Sequence, residues 1–420
     1  MTQSAPRSTQ ILVVLALINL VAYAARNSLL AVYPDLTLRY GIDYAQIGFL
    51  QTVFMLPHAI ATLGFGWAGD RYDRRRVIVV GVLITSVAGA AGALTTSYEG
   101  LALSRAVVGF GTAAIVPVAN SILGQLFNGP NKASRIAIFN LGLFFGGVAG
   151  VATGMALGFP NVVVALGVPG ILLAVVLLRQ PVPTHPEPSA ASSLTQGLAV
   201  FTKKFLGDAR VLLKIRTLRW VIASTTVMAF AAGGLGAWFV EFLECEKGMG
   251  KGGASTLFGL ALFGGLAGVL TGGRIADRLR TRVTAGRLWT IVIGVSLTTP
   301  FVAMSILVPA GVGLYIAGVA TMFFISWYHA PVAATVDDLA PVGRSVAAQG
   351  LVIFTMHLLG TAPSSWVIGI VSKRWSLTDA MWVPTVALGI AAVCMAVAAT
   401  TFAADASRAR ASRTSDELGL

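Results

Sequence analysis

A short charged loop occurs twice in this chain and constrains the fold more than any other feature. The segment from Gly66 to Arg71 (GWAGDR) returns 207 residues later as the segment from Gly273 to Arg278 (GRIADR). The same spacing separates Gly41 from Gly248. Each copy lies between long apolar segments, so we interpret it as a loop that joins two membrane spans. The chain is therefore predicted to contain two copies of one membrane unit in the same order and orientation.

The composition supports a membrane protein. Hydrophobic residues make up 56% of the 420 residues and charged residues only 11%, whereas a soluble domain carries about 25% charged residues. A net charge of +13 would indicate nucleic acid in a soluble protein, but here most Lys and Arg lie in segments predicted to be cytoplasmic. The outward loops hold five: Arg39, Lys247, Lys251, Lys373 and Arg374. This asymmetry places both termini in the cytoplasm, predicts a bacterial inner (plasma) membrane protein, and argues against a nucleic-acid partner.

The apolar segments predict an all-α membrane protein with twelve transmembrane helices. A span needs about 20 mostly apolar residues, and the segments that qualify are 10–34, 44–68, 77–96, 101–126, 135–157, 161–179, 218–240, 253–275, 286–306, 311–336, 345–370 and 379–403. They divide the chain into an N-terminal six-helix bundle (1–180), a cytoplasmic linker (181–217) and a C-terminal six-helix bundle with a cytoplasmic tail (218–420). Two parallel six-helix repeats are typical of alternating-access transporters, whose site lies between the halves.

The linker and two glycine rows give more local predictions. Residues 181–188 are too rich in proline to span a membrane, and the following apolar residues recur at helical spacing: Leu194, Leu198, Phe201, Phe205, Ala209 and Leu212. This pattern predicts a helix on the inner membrane surface, with a solvated linker helix as the alternative. Glycines at every fourth residue predict close helix packing in the fifth and eighth spans; they are Gly142, Gly146, Gly150, Gly264, Gly268 and Gly272.

Two motifs resemble the major facilitator superfamily. The loop that begins at Gly66 is similar to the motif between the second and third spans of that superfamily, and Arg105-x-x-x-Gly109-x-Gly111 is similar to its fourth-span motif. The resemblance implies the major facilitator fold and a secondary transporter that is not an enzyme. A carboxylate at a helix end can pair with basic residues and latch the cytoplasmic side; the alternative is that the charges only fix topology. The predicted gating residues are Asp70, Arg71, Arg74, Asp277 and Arg278.

Shorter stretches resemble the Spinster family, whose members move sphingosine phosphate, lysophospholipids and related amphiphiles. They are the run from His357 to Ser364 (HLLGTAPS), Asn19-Leu20-x-x-Tyr23-x-x-Arg26, and Pro331 with Pro341-x-x-Arg344. The chain departs from the family at three positions: Ala25, Thr112 and Thr361 stand where Spinster proteins usually or often carry acids. The resemblance assigns proton transfer to those acids, so their loss leaves open whether transport is proton-coupled.

Two arginines inside predicted spans indicate a binding site in the first half. A buried charge in a membrane is costly, so it normally faces a watery cavity or a partner. Arg26 and Arg105 have no acid near them in the middle of the first six spans, and arginine grips carboxylate or phosphate through paired hydrogen bonds. The alternative for Arg105 is a structural role near the glycines. The predicted binding residues of this half are Asn19, Tyr23, Arg26, Asn27, Arg105, Thr112 and Asn120.

The second half is predicted to supply an apolar wall for a lipid tail. Trp238, Phe324 and Tyr328 lie in its spans, and His357 and Thr361 complete the predicted binding set. Aromatic residues at helical spacing also occur in cores or against lipid, which is the alternative. Three titratable residues are candidates for coupling to protons: His329, His357 and Glu241.

These features predict a monomeric transporter of an amphipathic anion, with a lysophospholipid-like lipid as the first candidate. Membrane lipids are the other expected partner, and no cofactor or metal is expected. A transporter of small organic anions or drugs on the same fold is one alternative, and a membrane sensor without transport is another. No His-Glu-x-x-His or Gly-x-Ser-x-Gly motif points to an enzyme.

Overall fold

The protein is described by a computed structural model that covers residues 5–127, 132–182, 194–341 and 344–418. In these ranges, twelve helical segments are long and apolar enough to cross a membrane: Ser8–Ala31, Tyr44–Gly69, Arg74–Ala93, Tyr98–Leu126, Ile138–Leu157, Asn161–Leu178, Arg216–Glu246, Lys251–Arg280, Gly286–Leu307, Val312–Leu339, Ser345–Arg374 and Leu377–Ala409. The predicted fold class is confirmed. Several spans run past their predicted ends, because backbone hydrogen bonds continue the helix into polar residues beyond the apolar stretch.

The helices fall into two units, one up to Leu198 and one from Ala199. The first unit contains α1 Ala5–Asn27, α2 Tyr33–Tyr40, α3 Tyr44–Arg71, α4 Arg74–Ala93, α5 Tyr98–Thr112, α6 Ile115–Leu126, α7 Lys132–Leu157 and α8 Asn161–Leu178. The linker helix α9, Leu194–Leu212, leads into the second unit. That unit contains α10 Arg216–Glu241, α11 Lys251–Arg280, α12 Gly286–Leu307, α13 Val312–Ile325, α14 His329–Leu339, α15 Ser345–Thr355, α16 Ala362–Arg374, α17 Leu377–Ala380 and α18 Trp382–Leu418.

The two units repeat the same loop geometry after their first span. Gly41 has a φ of 63° and Gly248 a φ of 62°, the left-handed conformation that glycine adopts without a steric penalty. A cation just before each glycine caps the last turn of the unit's third span. Arg39 Nη2 donates to the carbonyls of Ala93 and Thr95 at 3.3 and 3.2 Å. Both units thus pair the loop after their first span with a helix C-terminus, where backbone carbonyls favour a cation.

In the second unit this cation is Lys247. Its ammonium group donates to the carbonyl of Ile306 at 2.6 Å and to that of Val308 at 2.8 Å. Partial burial lowers the pKa of Lys247, and the nearby carboxylate of Glu246 opposes that effect. The hydrogen bonds from Lys247 to the two carbonyls are shorter than those that Arg39 makes in the first unit.

Both predicted glycine rows bring helices into close contact. A Cβ at Gly146 would lie 2.5 Å from the carbonyl oxygen of Leu20, so α7 packs tightly along α1. In the second unit, a Cβ at Gly268 would lie 2.0 Å from the carbonyl oxygen of Phe323, so α11 packs still more closely on α13. A larger residue at either position would force the two backbones apart.

The linker helix α9 forms where its periodicity predicts a helix, and it contacts protein. The rings of Phe205 and Phe354 lie 5.9 Å apart, and Asp208 Oδ1 pairs with Arg344 Nε at 3.1 Å. One of the residues predicted to face the membrane surface thus packs against α15. The side chains of Leu194 and Leu198 lie outside the described residues.

Candidate functional site

The site in the first unit begins with a close approach of α3 and α5. A Cβ at Gly109 on α5 would lie 2.0 Å from the carbonyl oxygen of Phe54 on α3. Glycine is therefore required for these helices to pack at this distance. The contact brings the second span against the fourth near the middle of both helices, and Phe54 is fully buried there.

The ring of Phe54 gathers three cationic or titratable side chains. Arg105 Cζ lies 4.7 Å from the ring centroid and Arg26 Cζ lies 5.7 Å from it. The imidazole of His58 stacks at 5.8 Å, one helical turn further along α3. A cation over an aromatic face is attracted by the ring quadrupole. Two arginines predicted from separate spans therefore contact the same ring.

A pocket with an empty volume of about 290 Å³ opens beside this ring. We call it the Arg26 pocket; its wall consists of Asn19, Ala22, Tyr23, Arg26, Phe54, His58, Thr112, Ile115 and Val116. No carboxylate is among these residues, so the charge of Arg26 gives the pocket a positive potential. Within the described part of the chain, no three His, Cys, Asp or Glu side chains group as metal ligands would.

Four of the predicted binding residues line the Arg26 pocket, namely Asn19, Tyr23, Arg26 and Thr112. Asn19 is held in place because its Nδ2 donates to the carbonyl of Phe139 at 3.0 Å. Its Oδ1 has no hydrogen-bond partner among the described residues. The amide of Asn19 thus offers an acceptor beside the arginine.

His58 is a site residue that the sequence analysis did not identify. Its Nδ1 lies 3.1 Å from the hydroxyl oxygen of Thr112 and 3.3 Å from the carbonyl oxygen of Gly109. The hydroxyl of Thr112 itself donates to that carbonyl at 2.9 Å. In the sequence, a single histidine beside Pro57 carries no motif, and Thr112 and Gly109 lie on another span. Only the close approach of α3 and α5 reveals the contact.

Arg105 lines a different cavity from Arg26. Its side chain is 4% exposed and faces a space of about 640 Å³ among α1, α4, α5 and α8, lined mainly by small and apolar residues. Its Nε and Nη2 have no hydrogen-bond partner among the described residues. The two cavities share Ala22 and Ile115 in their walls. The predicted pair of arginines is thus divided between neighbouring cavities and meets only at Phe54.

Two predicted residues of the first unit lie away from the Arg26 pocket wall. Asn27 uses its Nδ2 to donate to the carbonyl of Tyr23 at 2.8 Å, one turn back along α1. Asn120 lies on α6, with its Oδ1 buried and without a hydrogen-bond partner in the described ranges. Helical periodicity predicts both on the same face as the site, but neither is among the residues that line this pocket.

Of the aromatic residues predicted to form an apolar wall in the second unit, one is buried in the protein core and another belongs to a group of aromatic rings. Trp238 is fully buried, and its Nε1 donates to the carbonyl of Ser365 at 3.0 Å, so it joins α10 to α16. Phe324 belongs to a group of rings with Phe301, at 5.6 Å, and Trp327, at 5.3 Å. Phe323 completes the group, and we call these four residues the aromatic cluster.

The remaining predicted residues of the second unit lie at irregular helical turns. The rings of Tyr328 and His329 stack at 4.1 Å where a 3₁₀ turn, Ser326–Tyr328, breaks the tenth span. His357 and Thr361 lie in a π-helical turn, Met356–Thr361, in the eleventh span. Glu241 is 4% exposed and accepts a hydrogen bond from Cys245 Sγ at 3.3 Å. Single-turn π segments of this kind often occur at functional sites.

The loop charges pair in ways that the repeat alone did not predict. Arg74 is buried, and its Nε donates to the carbonyl of Gly69 at 3.0 Å, which ties α4 to the end of α3. Arg71 Cζ lies 5.8 Å above the ring of Trp67. The side chain of Asp70, the first predicted gating residue, lies outside the described residues.

In the second unit an ion pair forms between two residues that are not among the predicted gating residues. Asp277 and Arg278 are exposed, and neither forms an ion pair with a described residue. Arg287 at the start of α12 instead pairs with Asp338 at the end of α14. The two copies of the loop motif therefore share a sequence pattern but differ in the contacts of their side chains.

The sequence is similar to a known protein family and to several named relatives. The sequence profile described as Major Facilitator Superfamily matches residues 15–364. The chain is 30% identical over 409 residues to "Protein spinster homolog 3" of Danio rerio, covering 90% of this chain and 80% of that protein. It is 28% identical over 389 residues to "Sphingosine-1-phosphate transporter SPNS2" of Mus musculus, covering 86% of this chain and 69% of that protein.

A solved structure shows the same fold. It is the crystal structure of a bacterial homolog to the human lysosomal transporter Spinster, in an inward-facing and unoccupied conformation. The TM-score is 0.81 at 21% sequence identity, with 96% of this chain and 99% of that chain covered.

Proposed function

Because this chain belongs to the major facilitator superfamily and, within it, to the Spinster-like transporters, we propose that it moves an amphipathic anion by alternating access. It is an integral membrane protein and a transporter rather than an enzyme. The proposed substrate is a lysophospholipid or a related single-chain lipid with an anionic headgroup. The proposed location is a bacterial inner membrane with both termini in the cytoplasm, and the proposed working form is a monomer.

The observation that carries this proposal is the Arg26 pocket. Its wall holds one guanidinium group, the amide of Asn19 and the hydroxyl of Tyr23, and no carboxylate is among the described residues that line it. An arginine that is not paired with an acid at mid-membrane favours an anionic ligand, because a charge in that environment requires a partner or water. Guanidinium also matches the geometry of phosphate and carboxylate oxygens. The pocket therefore suits the headgroup of the substrate.

The apolar part of the substrate is the second element of the proposal. Ala22, Ile115 and Val116 form the apolar part of the pocket wall. A relative in Mus musculus is named as a transporter of sphingosine-1-phosphate, which combines an anionic head with a single chain. A lipid of that class supplies both kinds of contact.

A small organic anion is the second candidate. The Arg26 pocket is small, because the volume that the centre of a water-sized sphere can occupy is about 20 Å³, far below the ~300–1,000 Å³ typical of ligand pockets. Trp238, which was predicted to line an apolar wall, is fully buried between helices. Both observations favour a compact anion over a long lipid.

Uptake into proteoliposomes tests the proposed function. The probe is labelled 1-oleoyl lysophosphatidylglycerol, which carries one fixed negative charge, and the variants are Arg26→Gln and Arg179→Gln. Arg179 is exposed at the end of α8, so its variant removes the same charge from the same unit outside the pocket. A charge-assisted hydrogen bond contributes about 1.5–3 kcal/mol, so Arg26→Gln should reduce uptake about tenfold or more, whereas Arg179→Gln should behave as the native protein does.

Three results would change the assignment. Uptake equal to that of empty vesicles, from correctly folded protein, would contradict lipid transport and favour the small organic anion. Saturable binding without uptake would favour a sensor. Equal uptake by both variants would show that Arg26 does not contact the substrate.

A further inference from the structure

A cavity larger than the Arg26 pocket lies in the second unit, where α12 begins. The volume that the centre of a water-sized sphere can occupy there is about 430 Å³, within the ~300–1,000 Å³ typical of ligand pockets. Its wall comes from the turn between α11 and α12, the start of α12, the end of α14 and α18. Its charged wall residues are Arg280, Arg282, Arg287 and Asp338, and we call it the arginine cavity.

Two of these arginines keep their charge without a partner in the protein. Arg287 pairs with Asp338. Arg280 and Arg282 are exposed, and neither forms an ion pair with a residue in the described ranges. The described wall of the cavity therefore carries a net charge of +2. Because the guanidinium fork matches phosphate oxygens through paired hydrogen bonds, the cavity suits a phosphate-type anion.

The turn that carries these arginines is ordered by its own backbone contacts. The hydroxyl of Thr281 donates to the carbonyl of Arg278 at 2.7 Å, and the N–H of Val283 donates to the carbonyl of Leu279 at 2.9 Å. A Cβ at Gly286 would lie 2.5 Å from that same carbonyl oxygen, so the start of α12 packs on the last turn of α11. The backbone of the turn is therefore organised before a ligand binds, which lowers the cost of binding.

The start of α12 adds backbone donors to the same cavity. Ala285 is the N-cap residue, and no side chain caps the helix. Arg287 and Leu288 in the first turn line the cavity. The first N–H groups of a helix have no acceptor within the helix and lie at the positive end of its dipole. These donors favour the anion that the arginines already indicate.

The cavity lies at the depth of the lipid headgroups. Trp289 is exposed in the first turn of α12, and tryptophan is enriched at the membrane–water interface. Both α12 and α18 also carry a stripe of exposed apolar residues farther along the span. These are Ile293 and Leu297 on α12 and Val386, Ile390 and Val393 on α18. Exposed apolar stripes on membrane spans meet lipid chains, so two walls of the cavity continue into lipid-facing surface.

We propose that the arginine cavity binds the phosphodiester headgroup of an anionic diacyl phospholipid, whose chains lie along the exposed stripes of α12 and α18. Basic pockets between membrane helices bind anionic headgroups in this way. The lipid is a bound component of the membrane and is separate from the transported substrate. The proposal therefore does not depend on the function proposed for the Arg26 pocket. A soluble phosphodiester offers the same headgroup chemistry without the chains, and the experiment distinguishes the two sources.

Native mass spectrometry of the protein in detergent measures the affinity of the first bound lipid, with dioleoyl phosphatidylglycerol and dioleoyl phosphatidylcholine as probes. The test variant is Arg280→Gln/Arg282→Gln. The control is Lys203→Gln/Lys204→Gln, which removes the same charge from two exposed residues of α9. The native protein should prefer phosphatidylglycerol about tenfold or more. A cation near a membrane surface contributes about fivefold to anionic-lipid binding, so the test variant should lower that affinity up to about 25-fold, and the control should match the native protein.

Two further measurements locate the lipid and identify its source. Arg26→Gln should keep the preference for phosphatidylglycerol, because the arginine cavity lies in the other unit. Glycerophosphoglycerol, which is the same headgroup without chains, should not displace phosphatidylglycerol from the native protein when present in about tenfold excess.

Four results would overturn the proposal. They are the absence of a preference in the native protein, a preference that persists in Arg280→Gln/Arg282→Gln, an equal loss in Lys203→Gln/Lys204→Gln, and a loss in Arg26→Gln. The third would show general attraction between charges, and the fourth would place the lipid in the Arg26 pocket. Displacement by glycerophosphoglycerol would contradict a membrane lipid as the ligand and indicate a soluble phosphodiester.

Discussion

The two units share a scaffold and differ in the side chains they place on it. In the first unit, α3 and α5 meet at Phe54, and arginine and histidine side chains surround its ring. In the second unit, the equivalent helices α11 and α13 meet at Phe323, and the neighbouring side chains form the aromatic cluster. The repeat thus preserves the helix contact, while the chemistry beside it has changed from cationic to aromatic.

The glycines at these two contacts show how the repeat tolerates change. In the first unit the glycine is Gly109, on the fourth span, and in the second it is Gly268, on the eighth span, which is the second of its unit. In both cases a Cβ would lie 2.0 Å from a phenylalanine carbonyl oxygen. The close approach is therefore preserved, although the glycine lies on opposite partners of the helix pair.

The largest effect should come from filling these contacts. Gly109→Val and Gly268→Val should each destabilise the protein by about 1–3 kcal/mol or more, because the neighbouring atom is backbone and cannot move aside. Thermal unfolding and monodisperse yield in detergent measure the loss. Gly236→Ala, where no atom lies within 4 Å of the added Cβ, is the control. Native-like unfolding of either valine variant would show that the close approach is not required.

The next largest effect should come from removing the ring that the two arginines share. Phe54→Leu keeps an apolar side chain but removes the cation–π contacts of Arg26 and Arg105, each of which contributes about 0.5–2 kcal/mol. Lysophosphatidylglycerol uptake should fall about tenfold. Phe324→Leu, the matched change in the aromatic cluster, should reduce uptake less and leave the headgroup preference unchanged. A larger loss from Phe324→Leu would reverse the proposed division between the units.

A smaller effect should separate the lipid from the small-anion candidate. Phe324→Gln places a polar group in the aromatic cluster, and burial of apolar area contributes about 25 cal/mol per Å². If the cluster contacts the lipid chain, uptake of the oleoyl probe should fall about three- to tenfold, whereas uptake of an octanoyl analogue should change little. Equal uptake of both probes by Phe324→Gln and by the native protein would favour a compact anion.

The smallest effect should come from the cations in the loop that follows the first span of each unit. Lys247→Met and Arg39→Met each remove a cation from a helix C-terminus, which contributes about 0.3–1 kcal/mol. Lys247→Met should lower the free energy of unfolding more than Arg39→Met does. The hydrogen bonds of Lys247, at 2.6 and 2.8 Å, are shorter than those of Arg39, at 3.3 and 3.2 Å. Thermal unfolding of the two variants gives the comparison. The reverse order would show that contact length does not determine the contribution of these caps.

Features that are local in the chain could be predicted from the sequence. The twelve spans follow from runs of apolar residues, and the glycine rows of α7 and α11 follow from a four-residue period. Arg26 could be identified as a pocket residue because a charge in an apolar run is itself a signal. These predictions required no knowledge of which helices touch.

The other features of the site depend on contacts between spans that are distant in the sequence. His58 enters the site only because Gly109 allows α3 to approach Thr112 on α5. Trp238 was predicted to line a wall, but its indole fills a space between α10 and α16, where its N–H has an acceptor. Arg105 was predicted to share a cavity with Arg26 and faces a neighbouring one. Helical periodicity predicts which residues share one face of a helix. It does not predict which other helix packs against that face.

The central claim is that the first unit recognises the negative charge of the substrate through Arg26. The most direct test compares uptake of 1-oleoyl lysophosphatidylglycerol, which is anionic, with that of 1-oleoyl lysophosphatidylcholine, which is zwitterionic. The native protein should prefer the anionic lipid about tenfold or more, in keeping with a charge-assisted contact of about 1.5–3 kcal/mol. Arg26→Gln should abolish that preference. A preference that survives in Arg26→Gln, or that is absent from the native protein, would contradict the claim.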